Sequence, residues 1–359
     1  MGKLTGEGWI LKESFRIYGR ALTELTKALQ VPKRAEKGSL LAAARLLSIF
    51  ELFVGSSEQS SVIQSQNWER HVNGELALLR ARGPESYIRG DAHSVFTDGR
   101  LQYQYMLSAK QRRKLFISDP EWATVPWMET PKTCKDLLLD ILLEVPGLLE
   151  DYDRMSSCPD AAAKIDQRDA LIAKCWVLDG QMQQWEASLP DPIGLHDIPT
   201  FSPDSPTISH KQLSLVEMKA LYWSGCLLLY STLNLALCLH QDGTSASLPE
   251  RADHNIYIRN IAGAVQFLLD PQAGLLGQHV AVWPLAMALQ FCMTLPAKPM
   301  DLQPKEIAIL VQTLQGSQGE GIKKFILSMN ADSHRHPAWM SEMCGTAGIR
   351  ARAKMWVGV

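Results

Sequence analysis

Closely spaced cysteines are missing from this sequence. Its seven cysteines are Cys134, Cys158, Cys175, Cys226, Cys238, Cys292 and Cys344, and no two lie closer than twelve residues. That spacing excludes a C-x-x-C zinc or redox motif. The odd number among apolar neighbours reads as free, buried thiols in a reducing compartment. Charge of one sign is also scarce. The formal net charge of −2 over 359 residues supplies no global field for nucleic acid or an anionic membrane. Sustained apolar–polar alternation is absent, and no Asn-Gly or Asp-Gly hairpin joins two alternating segments, which removes the strand signals. A secretory signal is not expected, because Lys12, Glu13, Arg16 and Arg20 interrupt the first apolar stretch. Gly6 stands where a myristoylation signal needs Ser or Thr. Leu221 to His240 carries no Asp, Glu, Lys or Arg, but Ser224, Ser231, Thr232 and Asn234 mark it as a buried core helix rather than a membrane span.

What is present is helical rhythm. Hydrophobic residues make up 46% of the chain and charged ones 21%, enough for a sizeable core. Ile10, Phe15, Tyr18, Leu22, Leu25 and Leu29 follow a rough three-to-four-residue rhythm, and Leu40 to Val54 is apolar nearly all round. Leu171, Trp176, Leu178, Met182, Trp185 and Leu189 form another face, stopped by Pro190. Further helices are predicted over 62–82, 100–117, 133–152, 212–241, 255–269, 276–294, 304–328 and 339–356. The expected fold is all-α, an irregular body of about ten or more helices in two packed lobes. Pro190, Pro192, Pro199, Pro203 and Pro206 make 190–210 an extended loop between a lobe at 1–189 and a lobe at 211–359. No repeat of 33–45 residues is present, which argues against a solenoid.

Several ordered pieces carry a family likeness. Leu40-Leu41-Ala42-Ala43-Ala44 leads to Glu51-Leu52-Phe53. Trp68-x-x-His71-x-x-Gly74 is followed by Leu78-Leu79-x-x-Arg82-Gly83-Pro84. Pro120-Glu121-Trp122 precedes Pro126-Trp127. Beyond these come Trp176-x-Leu178-x-x-Gln181-x-x-x-Trp185 and Gly274-Leu275-Leu276-Gly277 before Trp283-Pro284-Leu285. Together they resemble the fungal-specific transcription factor domain, the regulatory part of fungal zinc-cluster transcription factors. The resemblance implies an all-α fold, a role in transcriptional regulation, an effector pocket and no catalytic residue. Members that read DNA carry six cysteines ahead of this domain. Here the first cysteine is Cys134, so with Met1 as the start that DNA-reading module is expected to be missing.

The residues themselves give these pieces structural roles. Trp68, His71, Glu75 and Leu78 fall on one helical face, on which Gly74 is expected to allow close packing. Arg82-Gly83-Pro84 reads as a helix stop. His71 is a low-ranked polar candidate, read first as a hydrogen-bonded boundary histidine.

Searches for chemistry give near misses. In Gly316 to Lys323, Ile322 occupies the place where a phosphate loop needs Lys, which leaves an inter-helix turn. There is no G-x-S-x-G and no H-E-x-x-H. His334 and His336 lack a third metal ligand, and Glu150-Asp151-Tyr152-Asp153 only partly matches an aspartate-rich magnesium motif. No metal site and no cofactor are therefore expected. Lys110, Arg112, Arg113 and Lys114 are the one basic cluster, placed at a helix end or against phosphates. The candidate small-molecule pocket takes Tyr222, Trp223 and Cys226 from one helix and Trp283, Met287 and Gln290 from another, between the two helix groups. Two readings stand. One is a transcription-factor-like regulatory protein, intracellular in the nucleus or cytoplasm, acting through protein partners or an apolar effector, without specific DNA binding or a membrane. The other is a cofactor-independent cyclase, isomerase or pericyclase of fungal secondary metabolism that reuses the pocket.

Overall fold

A computed structural model describes residues 7–31, 38–55, 61–100, 105–190, 194–197, 208–238, 248–294, 304–316 and 319–331. The described chain is all-α, with no strand among these residues. Its longer helices are α1 (Gly8–Leu29), α2 (Gly38–Phe53), α3 (Ser61–Arg82), α4 (Gly90–Gly99), α5 (Cys134–Leu142), α6 (Val145–Ser156), α7 (Ala161–Ala187), α8 (His210–Cys238), α9 (His254–Leu268), α10 (Gly274–Thr294), α11 (Pro304–Thr313) and α12 (Glu320–Ala331). Short helical turns at Pro84–Tyr87, Met106–Gln111, Phe116–Ser118, Pro120–Thr124 and Val125–Trp127 fill the connections.

By contact the chain forms two compact units. The first holds the described residues within Met1–Leu107, Phe116–Lys132 and Glu320–His334; the second holds those within Ser108–Leu115 and Thr133–Gly319. Residues on both sides of the proline-rich stretch belong to the second unit, because α7 before it packs on α8 after it. Pro192, Pro199, Pro203 and Pro206 lie outside the described residues.

In the first unit, α2 and α3 pack as a pair and α12 returns from the far end of the sequence to join them. Trp68 meets Phe325 edge-on with ring centroids 5.6 Å apart, and Ser65 Oγ donates to the Ser328 carbonyl at 3.1 Å. The stop after α3 forms as its residues dictate: Gly83 takes φ +74°, and Pro84 opens the next turn. That turn delivers Tyr87 to a cluster with Phe96 and Trp122, at centroid distances of 5.5 and 6.0 Å. Gly74 departs from its expected role. The buried stripe runs Trp68, Val72, Glu75, Leu79, and Gly74 falls about 100° away from Glu75 on the exposed side, with open space where a Cβ would stand.

The second unit is built from α5 to α11. α8, α9 and α10 pack on one another and carry most of its buried residues, while α7 covers α8. Two helices, His210–Leu237 and Pro271–Cys292, are long and apolar enough to cross a membrane, yet 72% of each apolar window is buried inside the protein. That burial is the behaviour of core helices.

Helix boundaries differ from the predicted ones where local chemistry intervenes. The expected helix over 133–152 divides before Val145, where Pro146 starts a new helix because it has no N–H to continue the old one. Over 304–328, α11 ends at Thr313, and Gly319 packs so tightly on the Thr313 carbonyl that only glycine fits. The near-phosphate-loop thus spans the end of the connection after α11 and the first turn of α12, with residues 317–318 outside the described set. Within 100–117, among the described residues, Arg100 and Tyr105 are in π-helical backbone, α-helix runs over Met106–Gln111, and Arg112 turns the chain with φ +53°. The predicted helix over 339–356, His334, His336 and Cys344 also lie outside the described residues. α4 was not foreseen from periodicity.

Candidate functional site

The α7–α8–α9 contact in the second unit carries a buried polar cluster inside an aromatic shell. Tyr222, Cys226 and Tyr230 follow one another at single-turn spacing on α8 and share one face. Tyr222 stacks on Trp185 of α7 at 5.5 Å and meets Tyr257 of α9 edge-on at 6.4 Å, while Tyr230 stacks on Tyr257 at 5.7 Å. Their hydroxyls are all used. Tyr222 donates to Glu186 Oε2 (3.1 Å), Tyr230 to Asp179 Oδ1 (2.7 Å) and Tyr257 to the Arg251 carbonyl (2.8 Å). Asp179, 3% exposed, also receives Arg251 through both carboxylate oxygens at 2.9 and 2.7 Å and Gln183 at 2.8 Å. Glu186 in turn meets His196 Nε2 at 3.0 Å.

The electrostatics of this cluster favour neutral groups. Burial raises the pKa values of Tyr222, Tyr230 and Tyr257 and pushes the Cys226 thiol up to about 12. Burial acts on Asp179 in the same upward sense, but hydrogen bonds from Arg251 and Tyr230 outweigh it and hold the carboxyl below its usual range. The cluster therefore contains one fixed ion pair surrounded by protonated hydroxyls and a protonated thiol. Its tyrosine protons are committed to protein acceptors, and it offers no thiolate nucleophile.

The sequence-derived pocket set lies on α8 and α10, two largely buried helices that pack on each other. Tyr222 and Cys226 meet in the cluster just described. Trp223 is fully buried but lies about 100° around α8 from Tyr222. Trp283 and Met287 are buried one turn apart on α10, and Gln290 is partly exposed on the same helix. Asp179, Tyr230, Arg251 and Tyr257 were missed by sequence reasoning. Tyr230 was legible as the next turn after Cys226; the Asp179–Arg251 pair spans 72 residues and had no local signal.

His71, in the first unit, is a hydrogen-bonded boundary histidine. The Tyr18 hydroxyl donates to Glu51 Oε1 at 2.6 Å and lies 2.8 Å from His71 Nε2, so Nε2 carries the proton and donates to Tyr18. Burial, with Arg70 nearby, lowers the His71 pKa, and burial raises that of Glu51. One turn beyond His71, buried Glu75 pairs with Arg45 Nη2 at 2.5 Å.

Charged motifs are spent on internal pairing. Arg112 holds Asp153 through two bonds of 2.8 Å, and Lys114 Nζ meets Glu144 at 3.0 Å. Asp151 pairs with Lys174 (2.6 Å) and Arg154 (3.1 Å). Among the described residues no group of three or more His, Cys, Asp or Glu side chains is disposed to hold a metal ion.

Comparison with known proteins adds little that is specific. No family model matches the chain, and no solved structure matches it. It is 29% identical over 185 residues to "Uncharacterized protein AN5342" of Emericella nidulans, a match covering 48% of this chain and 37% of that protein. The chain thus spans little over a third of the length of this relative, whose printed name carries no activity.

Proposed function

We propose that this chain is the regulatory, transcription-factor-like part of a fungal protein. It acts in the nucleus or cytoplasm through protein partners or a small apolar effector. The observation that carries the reading is the use made of the family-like motifs. Trp68, Trp122 and Trp185 all serve as packing centres of a helical scaffold. The basic cluster supports the same reading, since Arg112 and Lys114 are committed to Asp153 and Glu144 rather than held out for phosphates.

A second reading, a cofactor-independent cyclase, isomerase or pericyclase, is favoured by one feature. The Cys226 thiol stays protonated in a buried interior walled by the Tyr222 and Tyr257 rings, the kind of enclosed environment that orders an apolar substrate.

The test combines duplex binding at moderate salt with a thermal-shift screen of apolar metabolites on wild type and Trp283→Ala. Stabilisation of the wild type, recovery of the compound unchanged and no preference for one DNA sequence are the expected results. Sequence-selective duplex binding would restore a direct DNA-reading role. Recovery of the compound as an isomer of the same mass would put the enzyme first.

A further inference from the structure

The first unit holds its N-terminal helix by a small anchor. No residue of α1 is buried, although the helix runs through 22 residues. At 100° per residue its apolar stripe of Leu11, Phe15, Tyr18, Leu22, Leu25 and Leu29 lies on one side, and that side rests on α2. The grip is strongest in the middle of the helix. Tyr18 stacks on Phe50 of α2 with ring centroids 4.4 Å apart, and Phe15 meets the same ring edge-on at 5.6 Å. Towards the C-terminal end the cover thins. Leu22 and Leu25 are only partly buried, Leu29 is 45% exposed and Leu46 of α2 is 66% exposed.

The polar part of the anchor is one hydroxyl. Tyr18 donates to Glu51 Oε1 at 2.6 Å and accepts from His71 Nε2 at 2.8 Å, so a single side chain of α1 bridges α2 and α3. Among the described residues no other side-chain hydrogen bond or ion pair ties α1 to the unit; Arg16–Glu13 and Lys27–Glu24 lie within the helix. Glu51 is 2% exposed and also receives Asn67 Nδ2 at 3.3 Å. Burial raises the Glu51 pKa and lowers that of His71, so both groups resist charge beneath the helix.

Lifting α1 loses little. A helix with no buried side chain gives up little apolar burial, and Glu51 and His71 exchange the Tyr18 hydroxyl for water. α2 and α3, packed on each other and on α12, bury Leu47, Leu52, Trp68 and Leu79, which hold that scaffold together without α1. The free energy of opening at α1 is therefore well below that of unfolding the unit. An isolated helix of this length is marginal in water, so the segment leaves cooperatively and loses its helix when it does.

We propose that α1 is a detachable arm latched by the Tyr18 hydroxyl. It lifts as one unit while α2, α3 and α12 stay folded, and lifting it uncovers the Phe50 ring and admits water to Glu51 and His71. The device belongs to the first unit and needs no ligand.

Native-state hydrogen exchange of the full chain at pH 7, read by peptide mass spectrometry, tests it. After correction for intrinsic rates, amides across Gly8–Leu29 should exchange together, about a hundredfold or more faster than those in the middle of α3. Tyr18→Phe keeps both ring contacts and removes the hydroxyl. It should speed exchange in α1 by about tenfold, the loss of one hydrogen bond, and leave α3 unchanged. Arg20→Gln, on the exposed side of the helix, should leave α1 exchange as in wild type. Helix content of each variant is checked by circular dichroism. Wild-type α1 amides as protected as those of α3, or exchange that grades inward from the helix ends instead of rising together, overturns the arm. An α1 exchange rate in Tyr18→Phe equal to wild type, or a rise shared equally by α3, overturns the latch.

Discussion

Replacing Asp179 by alanine removes one acceptor from three donors at once. The carboxylate takes two bonds from Arg251 and one each from Tyr230 and Gln183. Breaking a buried ion pair from one side costs about 3–5 kcal/mol when the surviving charge stays buried. Here the Arg251 side chain is 39% exposed and regains water, which moves the cost to the low end. The Tyr230 hydroxyl is buried and does not regain it, adding about 1–3 kcal/mol. The terms overlap, so a net loss of about 3–4 kcal/mol is expected, measured by urea unfolding at pH 7 followed by circular dichroism. Asp179→Asn keeps an acceptor for Tyr230 and should lose about 1 kcal/mol less. The pH dependence carries a sign. Asp179 has a depressed pKa in the folded chain, so its contribution is present above the unfolded carboxyl range and fades as pH falls through the depressed value. The gap between wild type and Asp179→Ala should therefore narrow in acid. A loss below about 1 kcal/mol at pH 7, or a gap that widens as pH falls, would refute the assignment of Asp179 as the organising acceptor.

His279 gives a second pH test: burial first, then Lys135 nearby, lowers its pKa to about 4. The unfolded chain takes up that proton from about pH 6.5 downward and the folded chain does not, so stability drops between pH 6.5 and 4 by about 3 kcal/mol. In His279→Gln that part of the drop should disappear, and a pH profile parallel to wild type would count against it. Glycines divide by environment. Gly277→Ala drives a Cβ into the Leu268 carbonyl and should lower stability by about 1–3 kcal/mol, whereas Gly74→Ala adds a methyl to open space in mid-helix and should raise it by up to about 1 kcal/mol. Opposite signs in thermal melts of the two variants are the expected result.

The all-α class was legible in the sequence because helical periodicity is a local property. Leu40 to Val54, the long apolar stretch that became α8, and the Gly83–Pro84 stop each depend on neighbours within a turn or two, and each formed as its residues imply. The two-turn run of Tyr222, Cys226 and Tyr230 was legible for the same reason. Tertiary structure decided the rest. Whether Gly74 or Val72 faces the core depends on the rotation of α3 about its axis, which packing with α2 and α12 sets. Asp179 and Arg251 are ordinary surface types in sequence and become a buried pair only when α7 is laid against the entrance to α9. Trp223 and Tyr222 are adjacent in the chain and both buried, yet a rotation of about 100° separates them around α8, and it is the laying of α7 against that helix that stacks Tyr222 on Trp185. Periodicity specifies which residues are hidden; only the arrangement of helices specifies what they are hidden against.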